Sequence, residues 1–155
     1  MKPMDGLKAA FVFHREYPEE MVERFVDIVE ENQLHVVHAQ PISHDVEIIK
    51  ETLFDLCMKG ISLIICLGGT GIQPQERMPE ALSCIADKTL SGLENAITYV
   101  LMEKGSYAVM DRIQAGVFQK TILVALPGNP FLVQQILNTI LPLVQQGLAS
   151  FEEER

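Results

Sequence analysis

Two short segments of this chain carry the residue types that bind phosphates. "GGTG", residues 68–71, follows the apolar run "SLIICL", and "LPGNP", residues 126–130, closes the apolar run "TILVAL". Where a strand gives way to a helix, glycines let backbone N–H groups approach a phosphate oxygen with no side chain in between. A plain turn rarely needs three glycines in four residues, so Gly68, Gly69 and Gly71, with Thr70, are candidate ligand contacts. In the second segment Pro127-Gly128 is turn chemistry, and Asn129-Pro130 suits a helix cap and first turn. If the two strand ends lie side by side, both loops line one cleft and a helix N-terminus faces an anion.

Two common nucleotide motifs are absent. A P-loop needs Gly-Lys-Ser/Thr after its first glycine, which nothing here supplies. A dinucleotide fingerprint belongs at the first strand and ends on glycine, whereas this loop follows the third apolar run and has Pro74 at that place.

The elements that must hold these loops alternate. "LKAAFVF", residues 7–13, reads as a strand buried on both faces. In "YPEEMVERFVDIVEENQ", Pro18 and two glutamates suit a first helical turn, and Met21, Val22, Phe25, Val26 and Val29 recur at helical spacing. The pattern repeats with "LHVVHAQPI" as a strand ended by Pro41, then a helix with Val46, Ile49, Leu53 and Leu56 aligned and Gly60 as its stop. After the glycine loop come a helix from Pro79 and another through "GLENAITYVLMEKG". Two or three strand segments follow in residues 106–126, with a turn near Gln119 and Lys120. A long helix from Pro130, with Pro142 as a kink site, closes the chain. Strands alternating with helices predict an α/β fold of three layers, a mostly parallel sheet with helices on both faces.

The 155 residues suffice for one domain, 1–155, with no linker, repeat or low-complexity tract. A net charge of −9 argues against a general nucleic-acid or anionic-membrane binder, so an anionic ligand needs local help from backbone amides, an arginine or Mg²⁺. Cys57, Cys66 and Cys84 lack paired spacing, which predicts buried free thiols rather than disulfides or a metal site. The start has no adequate signal core and no run reaches the roughly 18 residues of a membrane helix, so the expected setting is cytoplasmic.

"GGTGIQPQERMPEA", the helix with "SGLENA", and "DRIQAGVFQKTILVALPGNP" together resemble the MoaB/Mog family of molybdopterin-binding proteins, which includes molybdopterin adenylyltransferases, the gephyrin G-domain and CinA-like domains. The resemblance covers nearly the whole chain. It implies a homo-oligomer, a trimer or a hexamer built from trimers, with molybdopterin and its phosphate held between the two loops. In active relatives the pterin's terminal phosphate attacks the α-phosphate of Mg-ATP, so the protein positions reactants and neutralises charge. Carried over by position, the ligand-binding set is Gly68, Gly69, Thr70, Gly71, Glu94, Asp111, Arg112, Pro127, Gly128, Asn129 and Pro130.

Several positions depart from the family. Gln75 and Glu76 stand where an Arg-Asp pair is usual, and Glu76 keeps the charge but extends the carboxylate by one methylene. A second family acid falls on His44, with Asp45 as the neighbouring substitute, so Glu76 and Asp45 are the candidate catalytic and Mg²⁺-binding residues. The bland alternative for His44 and Asp45 is a helix cap plus a solvated side chain. Asp111-Arg112 replaces a Ser-Arg pair; the acid would repel a phosphate, while Arg112 could clamp one or serve as a surface ion-pair partner. His14 and Arg15 replace a Ser-Asp segment after the first strand. Three readings follow: a pterin-binding protein with weakened or altered chemistry, which is preferred, an active Mg-ATP-dependent adenylyltransferase, or an oligomeric scaffold without a small-molecule ligand. The third leaves the retained glycine loops unexplained.

Overall fold

The computed structural model describes residues 6–14, 16–104 and 110–152. Arg15 and part of the segment expected to open the late strands therefore lie outside the described residues. The elements run β1 (Lys8–Phe13), α1 (Glu19–Glu31), β2 (His35–Pro41), α2 (Val46–Met58), β3 (Leu63–Leu67), α3 (Met78–Ile85), β4 (Lys88–Thr89), α4 (Ser91–Lys104), β5 (Gln114–Phe118), β6 (Thr121–Leu126) and α5 (Pro130–Ser150). Six strands form one sheet in the order β2-β1-β3-β6-β5-β4. The first four in that order are parallel; β5 runs antiparallel to β6, and β4 to β5.

Strand alternation divides the apolar residues between two cores. Ala9, Phe11 and Phe13 of β1, with Leu63, Ile65 and Leu67 of β3, point to the face covered by α1, α4 and α5. Ala10 and Val12, with Ile64 and Cys66, point to the other face, which α2 and α3 cover. The run of apolar residues in β3 is thus a strand buried on both sides, all five of its residues being buried. Each fully buried Leu or Ile contributes about 1.5–3 kcal/mol relative to exposure, so the two cores hold the sheet from both faces.

Local signals behave as their chemistry requires. Asn129 caps α5 by accepting from the N–H groups of Phe131 (2.9 Å) and Leu132 (3.3 Å), with Pro130 in the first turn. Gly60 ends α2 at φ +78°, a conformation that costs a residue without Cβ little. Helix α5 runs on through Pro142 to Ser150. Three details depart from expectation. The two-residue β4 is too short and too polar to show as a strand pattern, and exists because Lys88 and Thr89 pair with β5. Strand β2 is an edge, so its residues alternate between exposed and half-buried instead of being buried. Cys57 and Cys66 are buried free thiols as expected, but Cys84 is exposed. Burial pushes the Cys57 thiol up to about 11, and that of Cys66 higher still, so neither is poised as a nucleophile.

Candidate functional site

The site begins with register. Phe13 of β1 pairs with Leu67 of β3, and Leu67 with Leu126 of β6. The next residues of the three neighbouring strands, His14, Gly68 and Pro127, therefore leave the sheet side by side. From β1 the chain crosses to β2 on one flank and then, from β2, returns past β1 to β3 on the other, so this is where strand order reverses and where open α/β sheets place ligands. Backbone bonds join the strand ends: the His14 N–H donates to the Leu67 carbonyl (3.1 Å), and the Gly68 N–H to that of Leu126 (2.9 Å).

A cleft of about 530 Å³ opens there, lined by both loops together with His14, His44, Asp111 and Leu132. Gly68, Gly69 and Thr70 line one wall and Pro127, Gly128 and Asn129 the other, which brings together most of the residues expected to contact a ligand. Tyr17 braces the second loop by donating its hydroxyl to the Gly128 carbonyl at 2.6 Å. Its ring meets Phe13 and Phe25 edge-on, at 5.6 Å in each case.

The glycines are required by close approach as well as by turn geometry. Gly68 and Gly69 have φ of +88° and +70°, and a Cβ on Gly69 would overlap the His14 ring, standing 2.6 Å from Nε2. At Gly71 a Cβ would sit 2.6 Å from the carboxyl carbon of Glu76, the far end of a flexible side chain that folds back over the loop and accepts the Gln73 N–H at 3.0 Å, so a larger residue there would displace Glu76.

Arg112 holds the loop from the other side. Its Nε donates to the Gly71 carbonyl (2.9 Å), one terminal nitrogen donates to the Glu76 carbonyl (2.7 Å), and the other pairs with the Glu80 carboxylate. The Arg112 N–H also donates to the Thr70 carbonyl at 2.8 Å. Burial opposes ionisation of Glu80, but the hydrogen bond from Arg112 and the charges of Arg112 and Arg77 outweigh it and hold the carboxyl below its usual range. Arg112 does not line the cleft; three of its donor groups are committed to the loop, which makes it a loop clamp in this arrangement. Thr70, only 1% exposed, donates its hydroxyl to Asp111 at 2.8 Å. Burial raises the Asp111 carboxyl above its usual range, the Thr70 hydrogen bond works against this, and the Glu76 charge adds to it.

Gly71 and Pro130 are not among the lining residues, and two expected acids stand elsewhere. Asp45 caps α2, accepting from the Glu47 and Ile48 N–H groups at 2.8 and 3.3 Å, and is not among the residues lining the cleft. The helix needs that cap, and its carboxylate is thereby turned to its own first turn. Glu94, in the first turn of α4, accepts the Ala115 N–H at 2.9 Å and so ties α4 to β5. The cleft instead contains two residues that the sequence marks only as departures. His14 and His44 stack at 4.3 Å between centroids with 7° between planes. Both follow strand ends, β1 and β2, and that placement was the available signal.

Among the described residues, no three His, Cys, Asp or Glu side chains gather as a self-sufficient metal site. Glu76 and Asp111 are the two carboxylates lining the cleft, the donor type that Mg²⁺ takes where substrate phosphates complete its shell.

The family model for a probable molybdopterin binding domain matches residues 12–146. The chain belongs to that family. Its relatives include a molybdopterin adenylyltransferase of Helicobacter pylori, 24% identical over 108 residues that cover 69% of this chain and 61% of the relative. Gephyrin of Dictyostelium discoideum is 24% identical over 107 residues, covering 69% of this chain and 15% of gephyrin. The chain thus spans less than two thirds of the length of these curated relatives. Among solved structures, a molybdopterin biosynthesis protein from Mycobacterium abscessus superposes with a TM-score of 0.86 at 21% identity, covering 97% of this chain and 98% of the other. A tungsten cofactor synthesizing MoaB from Pyrococcus furiosus gives 0.81 at 20% identity, covering 98% and 100%. These likenesses establish a MoaB/Mog-type fold for this member of the molybdopterin-binding domain family. No helix among the described residues is long and apolar enough to cross a membrane.

Proposed function

We propose that this protein acts in molybdenum cofactor biosynthesis by binding the phosphate end of molybdopterin in the cleft between residues 68–76 and 127–129, with adenylyltransferase chemistry that is weakened or altered. One observation carries the reading: three strand ends in register at the reversal of strand order bring a glycine-rich loop and a capped helix N-terminus to the walls of one cleft. The nearby helix α5 is 21 residues long, so its N-terminal dipole favours an anion over the 127–129 loop.

If Mg²⁺ and ATP take part, Glu76 and Asp111 are the carboxylates that would hold the ion, and the ion would supply charge neutralisation between the two phosphates. The chain's own contribution is then to fix the pterin phosphate and to hold Glu76 against the loop. Asp45 is committed to its helix, which removes one acid from the expected arrangement. Longer Glu76 and displaced acids favour binding over fast transfer, since a misplacement of about 1 Å costs roughly a hundredfold in rate. A homo-oligomer, a trimer or a hexamer, and a cytoplasmic setting belong to the same proposal.

Incubation of the protein with molybdopterin and Mg-ATP, followed by chromatography of the products, tests it. Tight binding with little adenylylated product supports the altered-chemistry reading. Rapid adenylylation replaces it with the active enzyme, and absence of binding sinks both. Light scattering of the purified protein tests the assembly.

A further inference from the structure

Part of the cleft wall is made of rings rather than backbone. Of the described lining residues only His14 and His44 carry aromatic rings, and they follow the ends of neighbouring strands, β1 and β2. His14 is the fixed member of the pair. It is half-buried, its Cδ2 and Nε2 edge lies where a Cβ on Gly69 would have to stand, and its Nδ1 is 3.4 Å from the Ile42 carbonyl. His44 lies flat on it, with 4.3 Å between centroids and 7° between planes.

The stack gives His44 two unlike faces. His14 covers one of them. The residue as a whole is exposed and lines the cleft, so its other face is open there. A ring already held flat by a neighbour has given up much of its rotamer freedom, which lowers the cost of laying a further ring on its open face. Stacking of this kind holds the bases of nucleotides, because every heteroaromatic ring presents a π-face. Gln73 and Gln75, also in the lining, carry side-chain amides with no hydrogen-bond partner among the described residues. An amide of that type offers a donor and an acceptor together, the pair that meets the edge of an amino-substituted ring.

We propose that the open face of His44, backed by His14, stacks the aminopyrimidine ring of the ligand whose phosphate lies at the glycine loop. The inference rests on the pterin-phosphate reading given above and adds to it the residue that selects the group attached to the phosphate. Pterins and adenine both contain such a ring. His14 is a positioning residue in this arrangement, and His44 is the one that touches the ligand.

Calorimetry on the natural chain and on His44→Ala, with three ligands, separates ring from phosphate. The ligands are molybdopterin, AMP, and ribose 5-phosphate, which carries a phosphate without a ring. His44→Ala should weaken at least one of the two ring ligands by about fivefold to a hundredfold, the range of a lost base–aromatic stack, and leave ribose 5-phosphate unchanged. Whichever ring ligand suffers identifies the ring as pterin or adenine. His44→Phe, which keeps a flat ring without its nitrogens, should retain most of the affinity. In the natural chain the His44 ring protons should move upfield as that ligand is added, the ring-current sign of a stack. Unchanged affinity for both ring ligands in His44→Ala overturns the proposal, as does an equal loss for ribose 5-phosphate or a His44→Phe variant as weak as His44→Ala. Each of those results leaves the phosphate reading intact. Failure of molybdopterin to bind the natural chain overturns the phosphate reading itself, and the stack with it.

Discussion

The glycine loop between β3 and α3 presents two faces that solve opposite problems. On the outer face Arg112 meets the carbonyls of Gly71 and Glu76 and Oε2 of Glu80, while Glu80 Oε1 is buried without a hydrogen-bond partner. On the inner face two acids and two imidazoles line a cleft that holds no described lysine or arginine. The outer face is a structural joint closed by one arginine. The inner face is left unbalanced and self-covered, with His14 lying over Gly69 and Glu76 over Gly71. An imbalance of this kind is the feature on which the proposal of an anionic ligand for the inner face draws.

The largest effect should come from breaking the outer face. Arg112→Ala removes two loop hydrogen bonds and the ion pair with Glu80, and a destabilisation of about 2–3 kcal/mol in urea unfolding is expected after allowing for partial exposure. A loss below about 0.5 kcal/mol would mean that the clamp is decorative and that Arg112 is available to a ligand after all.

Next in size is Gly69→Ala, which combines a left-handed backbone with overlap on the His14 ring and should cost about 1–2 kcal/mol. In a His14→Ala background the backbone strain and the 3.1 Å approach to Met78 Cβ remain, so the cost should shrink without vanishing. Equal costs in the two backgrounds would separate the loop from His14 and undo the description of the inner face.

Glu76→Gln sharpens the comparison through binding. Without Mg²⁺ it should tighten molybdopterin about threefold to tenfold, the effect of removing about 1 kcal/mol of like-charge repulsion. With Mg²⁺ present the gain should vanish or reverse, because the carboxylate is then a metal ligand. A variant that weakens binding equally under both conditions would show that Glu76 serves only to shape the loop.

The smallest effects are in the pH dependence of stability, and the two faces should differ in sign. Glu80 is held below its usual value of 4.5, so its ionised form stabilises the fold at higher pH, and the advantage over Glu80→Gln disappears as pH falls from about 4.5 through the lower folded value. Asp111 is raised above its usual 3.8, so its ionised form opposes folding once pH exceeds that range. Asp111→Asn, which keeps an acceptor for Thr70, should therefore gain stability relative to the natural chain as pH rises. Urea midpoints from pH 3 to 7 check both, and the same sign for both variants would contradict the contrast between faces.

Much of this architecture is legible in the residues alone. The alternation of apolar runs with helical spacing reads as a parallel sheet covered on both faces, because side chains of period 2 and 3.6 leave different patterns. The Asn129-Pro130 start of α5 and the Gly60 stop of α2 are equally readable, since cap chemistry is local. Strand β4 is not, being two polar residues whose pairing depends on β5. At the cleft, the glycines and the 127–129 loop are found from composition and position. What escapes is which way a side chain turns. The Asp45 cap and an exposed His44 agree with the helix-cap reading of that pair, but the stacking of His44 on His14 is decided by tertiary placement. For Arg112 the residues alone leave a phosphate clamp and an ion-pair partner both open, and its three partners favour the second. His14 lies directly beyond β1, and only the register of three strands reveals that this puts it over Gly69.

The central claim is that the inner face of the glycine loop, with the 127–129 loop opposite, is where an anionic pterin binds. A second groove of about 630 Å³, lined mainly by apolar residues such as Leu90, Leu143 and Phe151, lies at the β5 side of the sheet and offers an internal control. Backbone amide NMR during titration with molybdopterin compares the two directly. The account predicts shift changes concentrated in residues 68–76 and 128–132, with His14 and His44 moving alongside. Changes centred on Leu90, Leu143 and Phe151, with the glycine loop unmoved, would contradict it.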